Sequence, residues 1–318
     1  MAPLLPESYT LDLFKGRRTS MAAVGQAYLR RAITLVRARR YDVVWLEGEL
    51  WPRSPAWGEA LLDAIHCPYV VDYDDAVFHR YDLNPNPLVR LLLHRKIDTV
   101  MRHATAVVVG NQYLRERALA AGASVIHSVP SVVDLERYQP PSMPGGTPAT
   151  IGWIGSPISA GFLESVVPVL NRVQQATGAR VRIVGAGRRL SHQLQAEFID
   201  WSEEAEVSEI CNFSVGIMPL VDSPIARGKS GYKLIQYMAC RVPVVASPVG
   251  ENNTIVEHCV DGLLAASKEE WYEALVQLLR RPDLRERLGA AGRAKVERSY
   301  SVQVTGPRMA SILVEAAG

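Results

Sequence analysis

Short apolar runs rich in β-branched residues alternate with helix-like stretches along the whole chain, and this alternation limits the fold more than any other feature. It is typical of parallel α/β sheets, in which a helix follows each strand. Helices are predicted near residues 18–39, 56–65, 88–103, 111–121, 160–177, 203–210 and 254–257, with two more between 268 and 298 and a last one at 299–317. Strands are predicted at 43–46, 69–73, 106–109, 125–129, 150–154, 181–184, 197–199, 214–218, 242–246 and 263–265.

A stretch rich in Pro and Gly between residues 130 and 148 separates two blocks of this alternation. The length of 318 residues suits two domains. We therefore predict an α/β protein with two Rossmann-like domains that face a cleft. The first domain is predicted at 1–135 and the second at 136–298, with a C-terminal helix at 299–318 that returns to the first domain.

The composition excludes several classes of protein. A net charge of +2 and the lack of any nucleic-acid-binding motif argue against a nucleic-acid partner. The four cysteines have no metal-binding spacing, so no metal site is predicted and a reducing compartment, the cytoplasm, is expected. No run of about 18 apolar residues and no signal-peptide pattern is present.

A cationic Gly-rich loop is the strongest local signal. Gly228, Ser230 and Gly231 precede a short predicted helix, and such a loop offers backbone N–H groups to an anion. Arg227, Lys229 and Lys233 are predicted to crowd the first helical turn, where the helix dipole disfavours each cation by roughly 0.3–1 kcal/mol. A bound phosphate would remove that conflict.

The spacing within this helix separates two faces. Leu234, Ile235 and Met238 would pack on a sheet, whereas Lys229, Lys233 and Gln236 fall at i, i+4 and i+7 on another side. Two cations followed by an amide suit a nucleotide diphosphate with its ribose. The alternative is a solvated Lys-rich face beside a tight turn.

Two further Gly loops follow predicted strands. Gly155 and Ser156 come after the strand at 150–154, and Gly185 comes after the strand at 181–184. Each alone is ordinary turn chemistry. Because ligands of parallel sheets bind at the carboxyl ends of strands, the loops together are predicted to frame one pocket.

Several of these motifs resemble those of the retaining glycosyltransferase family 4, which has the GT-B fold. The resemblance covers the chain from about Arg40 onward. It is carried by residues 129–134 with Tyr138, by 236–239 and 243–247, and by Glu257 with Asp261 and Gly262. Gly-Lys before the helix resembles a bacterial subgroup. The resemblance implies transfer of a sugar from a nucleotide-diphosphate sugar to a glycan, a lipid-linked acceptor or a small molecule, with retention of configuration and without a metal cofactor.

The chain departs from the family pattern at the donor site. Of the two glutamates that the family spaces eight apart, the first falls on Gly228 and the second on Gln236, which can still contact ribose hydroxyls. The family's Arg and Lys are missing from 152–161, and the loop cations resemble their substitutes. Lys229 and Arg227 are assigned to the leaving diphosphate. The predicted donor-binding residues are Gly155, Ser156, Gly185, Ile199, Trp201, Gly228, Ser230, Gly231, Tyr232, Lys233 and Gln236.

The base is expected against the loop after Ile199, where Trp201 either stacks on it or is half-buried in a helix-capping turn. In the first domain, carboxylates crowd a predicted strand end at Asp72, Asp74 and Asp75, and His79 follows. The resemblance assigns acceptor or donor-sugar contacts here. We predict Asp75 as catalytic, with Asp72, Asp74, His79 and Glu47 on the acceptor side. The alternative is an Asp helix cap with solvated neighbours.

The family opens with a strand, a Gly-rich turn and a helix, and no such unit precedes Leu11. The first domain is thus predicted to lack about 30 residues or more. This leaves two alternatives to transfer: a nucleotide-sugar-binding protein with impaired catalysis, and a nucleotide-sugar epimerase of the same fold. The exposed sheet edge also predicts homodimerisation.

The segment from Lys15 to Arg40 carries eight basic and no acidic residues. Its apolar positions Met21, Val24, Tyr28 and Leu35 make one helical face, which leaves arginines outside. Anionic lipids or a lipid-linked acceptor suit such a stripe, so a peripheral contact with the inner face of the membrane is expected. The alternative is an ordinary solvated face.

Overall fold

The computed structural model describes residues 4, 21–140, 148–188 and 190–318. The chain forms two compact units, of which the first runs to Val129 and includes Arg308–Gly318, and the second is Pro130–Pro307. The boundary thus falls before the predicted one at 135. The reason is that Val133 donates its N–H to the Tyr300 carbonyl (3.1 Å) and is buried, with Tyr138, in a core cluster of the second unit.

The first unit contains a four-stranded parallel sheet in the order β1-β2-β3-β4. Its strands are β1 Val44–Glu47, β2 Tyr69–Tyr73, β3 Ala106–Val109 and β4 Ile126–Ser128. Its helices are α1 Met21–Val36, α2 Trp57–Ala64, α3 His79–Asp82, α4 Pro87–Leu93, α5 Lys96–His103 and α6 Gln112–Ala121, with a 3-10 turn at Ala38–Arg40.

The helix predicted at 88–103 is two helices, because Arg95 takes φ −101° and ψ 7°, outside the helical range. The sheet has apolar packing on both faces. Core residues such as Val71 and Val107 cluster with Ile97 and Leu114, whereas Val70 and Val108 cluster with Ile312 of the last helix. A strand buried on both faces reads as a continuous apolar run, which is why Tyr69–Tyr73 and Ala106–Val109 match their predicted bounds.

The second unit contains a six-stranded parallel sheet in the order β10-β9-β8-β5-β6-β7. Its strands are β5 Thr150–Ile154, β6 Arg180–Val184, β7 Glu197–Ile199, β8 Val215–Met218, β9 Val244–Ala246 and β10 Leu263–Leu264. Its helices are α7 Val167–Thr177, α8 Glu206–Cys211, α9 Pro224–Arg227, α10 Tyr232–Ala239, α11 Asn252–Ile255, α12 Lys268–Arg280 and α13 Pro282–Ser299, and α14 Val302–Ala317 continues into the first unit.

Strand order in the second unit reverses at β5. Strands β6 and β7 lie on one side of it, and β8, β9 and β10 lie on the other. A crevice opens at the carboxyl ends of strands where a parallel sheet reverses in this way, and ligands of open α/β sheets bind there. Gly155 directly follows β5, so the predicted loops lie at the reversal point.

The helix predicted at 160–177 is a 3-10 turn, Ser159–Ser165, followed by α7. Proline in the first turn of α7 lacks an N–H and suits a helix start rather than an interior. Among the described residues, no helix is both long enough and apolar enough to cross a membrane.

Candidate functional site

Three strand-end loops of the second unit lie side by side. Gly155 donates its N–H to the carbonyl of Val184 (3.0 Å), and Gly185 donates to Ile199 (2.9 Å). Gly185 has a left-handed φ of 80°, and a Cβ there would lie 2.4 Å from the Gly155 carbonyl oxygen. Only glycine fits this position, so the structure brings together the predicted residues Gly155, Gly185 and Ile199.

The cationic loop ends at Gly231, and helix α10 begins at the next residue. Gly231 is the N-cap of α10 with φ 70°, and a Cβ on it would lie 2.2 Å from Ile255 Cδ1. This left-handed turn delays the helix to Tyr232. Arg227 and Lys229 therefore lie outside the first helical turn, contrary to prediction, and Lys233 lies within it. Gly228 and Gly231 are buried, and Lys229, Ser230 and Lys233 are half-buried.

Arg227 is already paired within the protein. Its Nε and Nη2 atoms donate to the two carboxylate oxygens of Asp222, at 2.7 and 2.8 Å. This bidentate contact holds the pKa of Asp222 below its usual value. The pairing argues against the predicted role of Arg227 as a cation for the diphosphate, because Asp222 already balances its charge.

Lys233 reaches the strand-end loops. A Cβ at position 155 would lie 2.5 Å from Lys233 Cε, and Lys233 Nζ lies 5.4 Å from the ring centroid of Trp153. The helix that carries Lys233 is fixed to β5, since the Tyr237 hydroxyl accepts a hydrogen bond from the Ile154 N–H (3.0 Å). The predicted cation and the predicted Gly loop thus form one site.

The spacing predicted one open face shared by Lys229, Lys233 and Gln236, but the structure shows that Gln236 is largely buried. It is only 4% exposed, and its Nε2 lies 2.7 Å from the Tyr138 hydroxyl. Tyr138 in turn donates to Glu206 Oε1 at 2.6 Å. Leu234 and Ile235, on the same helix, are buried in a core cluster of the second unit.

Trp201 is hydrogen-bonded to the same buried carboxylate, that of Glu206. Its Nε1 donates to Glu206 Oε2 (2.8 Å) while the residue stays 48% exposed. Arg137 Nη2 also donates to Glu206 Oε1, at 3.2 Å. Burial first, and then Glu206, raise the pKa of Tyr138. The sequence offered Tyr138 only as a motif residue and gave no signal that Glu206 belongs to the site.

The loop after β9 borders the cationic loop. A Cβ on Gly250 would lie 2.7 Å from the Arg227 carbonyl oxygen. In the next residue, Glu251, burial raises the carboxyl pKa to about 7, and a hydrogen bond with Thr254 opposes that rise. Our sequence analysis did not single out Glu251.

Three of the predicted acceptor-side carboxylates meet at the strand ends of the first unit. Glu47 and Asp72 are register partners on β1 and β2, and Asp74 lies beyond the end of β2. Burial, then Asp74 and Glu47, raise the pKa of Asp72 to about 6, and a hydrogen bond from the Trp45 side chain opposes them. Asp74 is exposed and Asp75 is half-buried.

His79 has partners for both ring nitrogens. Nδ1 lies 2.7 Å from Asp82 Oδ1, and Nε2 lies 2.8 Å from the Tyr113 hydroxyl. These contacts favour a role for His79 in holding α3 against α6 over a contact with an acceptor. Glu49, two residues after Glu47, is paired with buried Lys96 and accepts from Tyr81.

The described ranges, these clusters included, contain no group of three His, Cys, Asp or Glu side chains arranged to hold a metal ion. Residues 15–20 of the predicted basic stripe and 141–147 of the predicted linker lie outside the described residues. Tyr28 and Val24 of the stripe are half-buried and Leu35 is buried.

Solved structures of other proteins share the fold of this chain. Sucrose-phosphate synthase from Thermosynechococcus elongatus gives a TM-score of 0.71 at 15% identity, covering 94% of this chain and 80% of that one. Anabaena HepE in complex with UDP gives 0.68 at 15% identity, covering 90% and 82%. A glycosyltransferase from Rickettsia africae gives 0.67 at 12% identity, covering 94% and 84%. The protein therefore has the GT-B fold of two Rossmann-like domains.

Sequence comparison gives the family. Residues 7–131 match the family described as glycosyl transferase 4-like domain, and residues 150–281 match glycosyl transferases group 1. Together the two matches cover most of the chain. The chain thus belongs to the glycosyltransferases of the GT-B fold.

Two curated relatives match over more than two thirds of this chain. D-inositol 3-phosphate glycosyltransferase of Saccharomonospora viridis is 25% identical over 293 residues, which cover 81% of this chain and 66% of the relative. GDP-mannose-dependent monoacylated alpha-(1-6)-phosphatidylinositol monomannoside mannosyltransferase of Corynebacterium glutamicum is 27% identical over 246 residues, which cover 69% and 64%. The chain spans just under two thirds of the length of the curated relatives it matches.

Proposed function

We propose that this protein transfers a sugar from a nucleotide-diphosphate sugar to an acceptor hydroxyl. The observation that carries the proposal is the position of Lys233 against Gly155, at the point where the strand order of the second unit reverses. A cation in the first turn of a helix, at the carboxyl ends of parallel strands, suits a diphosphate. The family membership supports transfer over the alternatives of a binding protein or an epimerase.

The donor-site roles follow from the loops. Lys233, Lys229 and the loops at Gly155–Ser156 and Gly228–Gly231 are assigned to the diphosphate, and Trp201 with the Ile199 strand end to the base. Solved structures of HepE are complexes with UDP and with UDP-glucose, and the Corynebacterium relative is GDP-mannose-dependent. Both support the class of nucleoside diphosphate sugars without choosing a base.

The chemistry proposed for this site is electrostatic. When the bond between the sugar and the diphosphate breaks, negative charge grows on the leaving phosphate, and the fixed cations Lys229 and Lys233 stabilise it. Such a site needs no metal cofactor. We propose transfer with retention, in which the leaving phosphate assists the incoming hydroxyl. The protein then positions the two substrates, and no side chain acts as a general acid or base.

The acceptor contacts are assigned to the first unit. Asp72, Asp74 and Glu47 lie together at the strand ends, and carboxylates there suit sugar hydroxyls of a glycan or a lipid-linked acceptor. Asp75 follows in the same loop and keeps its proposed catalytic role near the acceptor hydroxyl. The register of Glu47 with Asp72 is the observation that supports this assignment.

A membrane surface is the proposed location of that acceptor. Helix α4 exposes Leu88, Leu91 and Leu92 at i, i+3 and i+4, to 64%, 71% and 73%. The segment 83–97 has no acidic residue, and its Arg90, His94 and Arg95 are exposed. Exposed leucines flanked by cations suit the anionic face of a bilayer. This supports a peripheral contact at the cytoplasmic face of the inner membrane.

Homodimerisation is a further proposal. Strand β1 is an edge of the sheet within the described part of the first unit, and its Trp45 is 51% exposed. An uncovered edge strand with a large apolar side chain favours pairing with a second copy. Light scattering of the purified protein tests this proposal, and a monomer at all concentrations would contradict it.

Released nucleotide measured during turnover tests the transfer reaction. UDP-, GDP- and ADP-sugars are supplied with soluble glycan and lipid-linked acceptors, and NMR of the product reports the configuration of the new bond. A retained configuration with one donor is expected. An acceptor-dependent release with inversion would contradict retention, and no release with any pair, by this chain or by one extended upstream, would contradict transfer.

A further inference from the structure

One buried carboxylate connects three of the predicted donor-site residues. Glu206 accepts from Trp201 Nε1 (2.8 Å) and from the Tyr138 hydroxyl (2.6 Å). Tyr138 lies 2.7 Å from Gln236 Nε2 and is also hydrogen-bonded to the side chain of Tyr232. Trp201 and Tyr232 are partly exposed, whereas Gln236, Tyr138 and Glu206 are buried. We call this set of five side chains the Glu206 relay.

The protons available to these side chains determine which group donates each hydrogen bond of the Glu206 relay. A tyrosine hydroxyl has one proton to donate, and a carboxylate can only accept. The Tyr138 proton therefore goes to Glu206, which Arg137 also contacts at 3.2 Å. The two lone pairs of Tyr138 remain for Gln236 and Tyr232, and both must act as donors to it. The amide of Gln236 is thus required by chemistry to present its NH2 group to Tyr138.

This orientation decides what Gln236 offers to a ligand. With its nitrogen turned to Tyr138, the side chain presents its carbonyl oxygen on the other side. Lys233 lies three residues earlier on the same helix, beside Gly155. An acceptor oxygen one turn beyond the phosphate-facing cation suits a ribose hydroxyl, which donates to it.

We propose that Glu206 is the positioning residue of the donor site: through Tyr138 it fixes Gln236 as a hydrogen-bond acceptor for a ribose hydroxyl, and it holds the rings of Trp201 and Tyr232. The proposal rests on the proposed function, because it assumes a nucleotide ligand. Glu206 itself does not touch the ligand in this account and acts only through the relay.

The relay predicts that the carboxylate at position 206 and the amide at position 236 can be exchanged for each other. Gln236→Glu alone places a second acceptor against the Tyr138 oxygen, where no proton is left for it. Glu206→Gln alone leaves one acceptor oxygen where Tyr138 and Trp201 each need one. In the double variant, Tyr138 donates to Glu at 236, and the amide at 206 donates to Tyr138 while its carbonyl accepts from Trp201. Each hydrogen bond has a donor again.

The experiment measures binding of UDP, GDP and ADP, and of the 2′-deoxy and 3′-deoxy analogues of the one that binds most tightly. Wild type is expected to prefer the ribonucleotide over one analogue by about tenfold, the effect of one hydrogen bond in a polar site. Glu206→Gln should reduce that preference to about twofold or less, and the exchanged double variant should restore it. Glu203→Gln is the matched control, because Glu203 contacts the same Arg137 at 3.0 Å but not the relay.

Thermal unfolding of the same four variants gives a readout that needs no ligand. Each single exchange should lower the midpoint, and the double exchange should recover most of the loss. If a single variant does not fold, the double variant should still fold as Glu203→Gln does. If the midpoint of the double variant is lowered by as much as the two single losses added together, the relay is contradicted. If no nucleotide binds wild type while the midpoints recover, the donor proposal fails and the relay remains as a purely structural one.

Discussion

Lys233 and Gly155 are so close that a Cβ on residue 155 would lie 2.5 Å from Lys233 Cε. The same Cβ would lie 2.8 Å from the rigid ring of buried Trp153. We expect Gly155→Ala to displace Lys233 and to cost about 1–3 kcal/mol of unfolding free energy, as overpacking does. Denaturant unfolding measures it. Gly161→Ala is the control, because nothing lies within 4 Å of a Cβ there, and equal losses in both variants would contradict the account.

The buried pair of Lys96 and Glu49 predicts a large loss of stability in the first unit. Both side chains are almost fully buried, and Lys96 also donates to the Trp51 carbonyl. Lys96→Met would leave Glu49 as an unpaired buried charge, which costs about 3–5 kcal/mol. Arg172→Met, which breaks the exposed pair with Glu269, should cost about 1 kcal/mol or less by the same unfolding assay. Similar losses in the two variants would show that burial does not govern the Lys96 pair.

Asp72 predicts a pH dependence of stability. Its folded-state pKa is raised from 3.8 to about 6, so the bound proton stabilises the folded protein. That contribution is fully present below pH 3.8 and is lost as the pH rises through about 6. As the pH rises from 4 to 7, the free energy of unfolding of Asp72→Asn should therefore increase relative to that of wild type by about 1–3 kcal/mol, after allowance for partial exposure.

Chemical unfolding of wild type and Asp72→Asn across this pH range measures the difference. Asp74→Asn removes the second-largest cause of the shift and should move the transition to lower pH. A difference between wild type and Asp72→Asn that stays constant from pH 4 to 7 would contradict the raised pKa.

The exposed leucines of α4 predict binding to anionic vesicles. Replacing Leu88, Leu91 and Leu92 together by Gln should reduce sedimentation with anionic vesicles about tenfold or more, because each exposed leucine contributes roughly 1–2 kcal/mol on burial. Leu119→Gln is the control, since Leu119 is 56% exposed on α6. Equal recovery of wild type with neutral and anionic vesicles would remove the membrane proposal.

The sheet was predictable because burial on both faces gives strands a recognisable apolar sequence. The bounds of Tyr69–Tyr73, Ala106–Val109 and Thr150–Ile154 agree with the prediction, and the Gly loops after β5 and β6 lie side by side as expected. The predicted position of Arg227 and Lys229 in the first turn of α10 was wrong. A left-handed Gly231 places the helix start at Tyr232, and sequence spacing alone does not reveal which Gly of the loop turns left-handed.

Side-chain partners were the unpredictable part of the site. Arg227 is balanced by Asp222, a local pair that competes with any phosphate, and spacing cannot rank the two. Glu206 meets Tyr138 across 68 residues of chain. Such a contact depends on how α8 packs beside the segment after the first unit, and nothing in the local pattern near Glu206 indicates it.

Calorimetric titration with UDP, GDP, ADP and their sugars tests the central claim, that the second unit binds a nucleotide diphosphate through its half-buried cations. We expect micromolar binding of one base, and a loss of about 1.5–3 kcal/mol for Lys233→Ala and for Lys229→Ala, as for a charged hydrogen bond. Arg227→Ala should lose much less, because Asp222 holds that side chain. Lys268→Ala, on the exposed start of α12, should bind like wild type. Failure of every nucleotide to bind, or equal binding by Lys233→Ala and Lys268→Ala, would contradict the account.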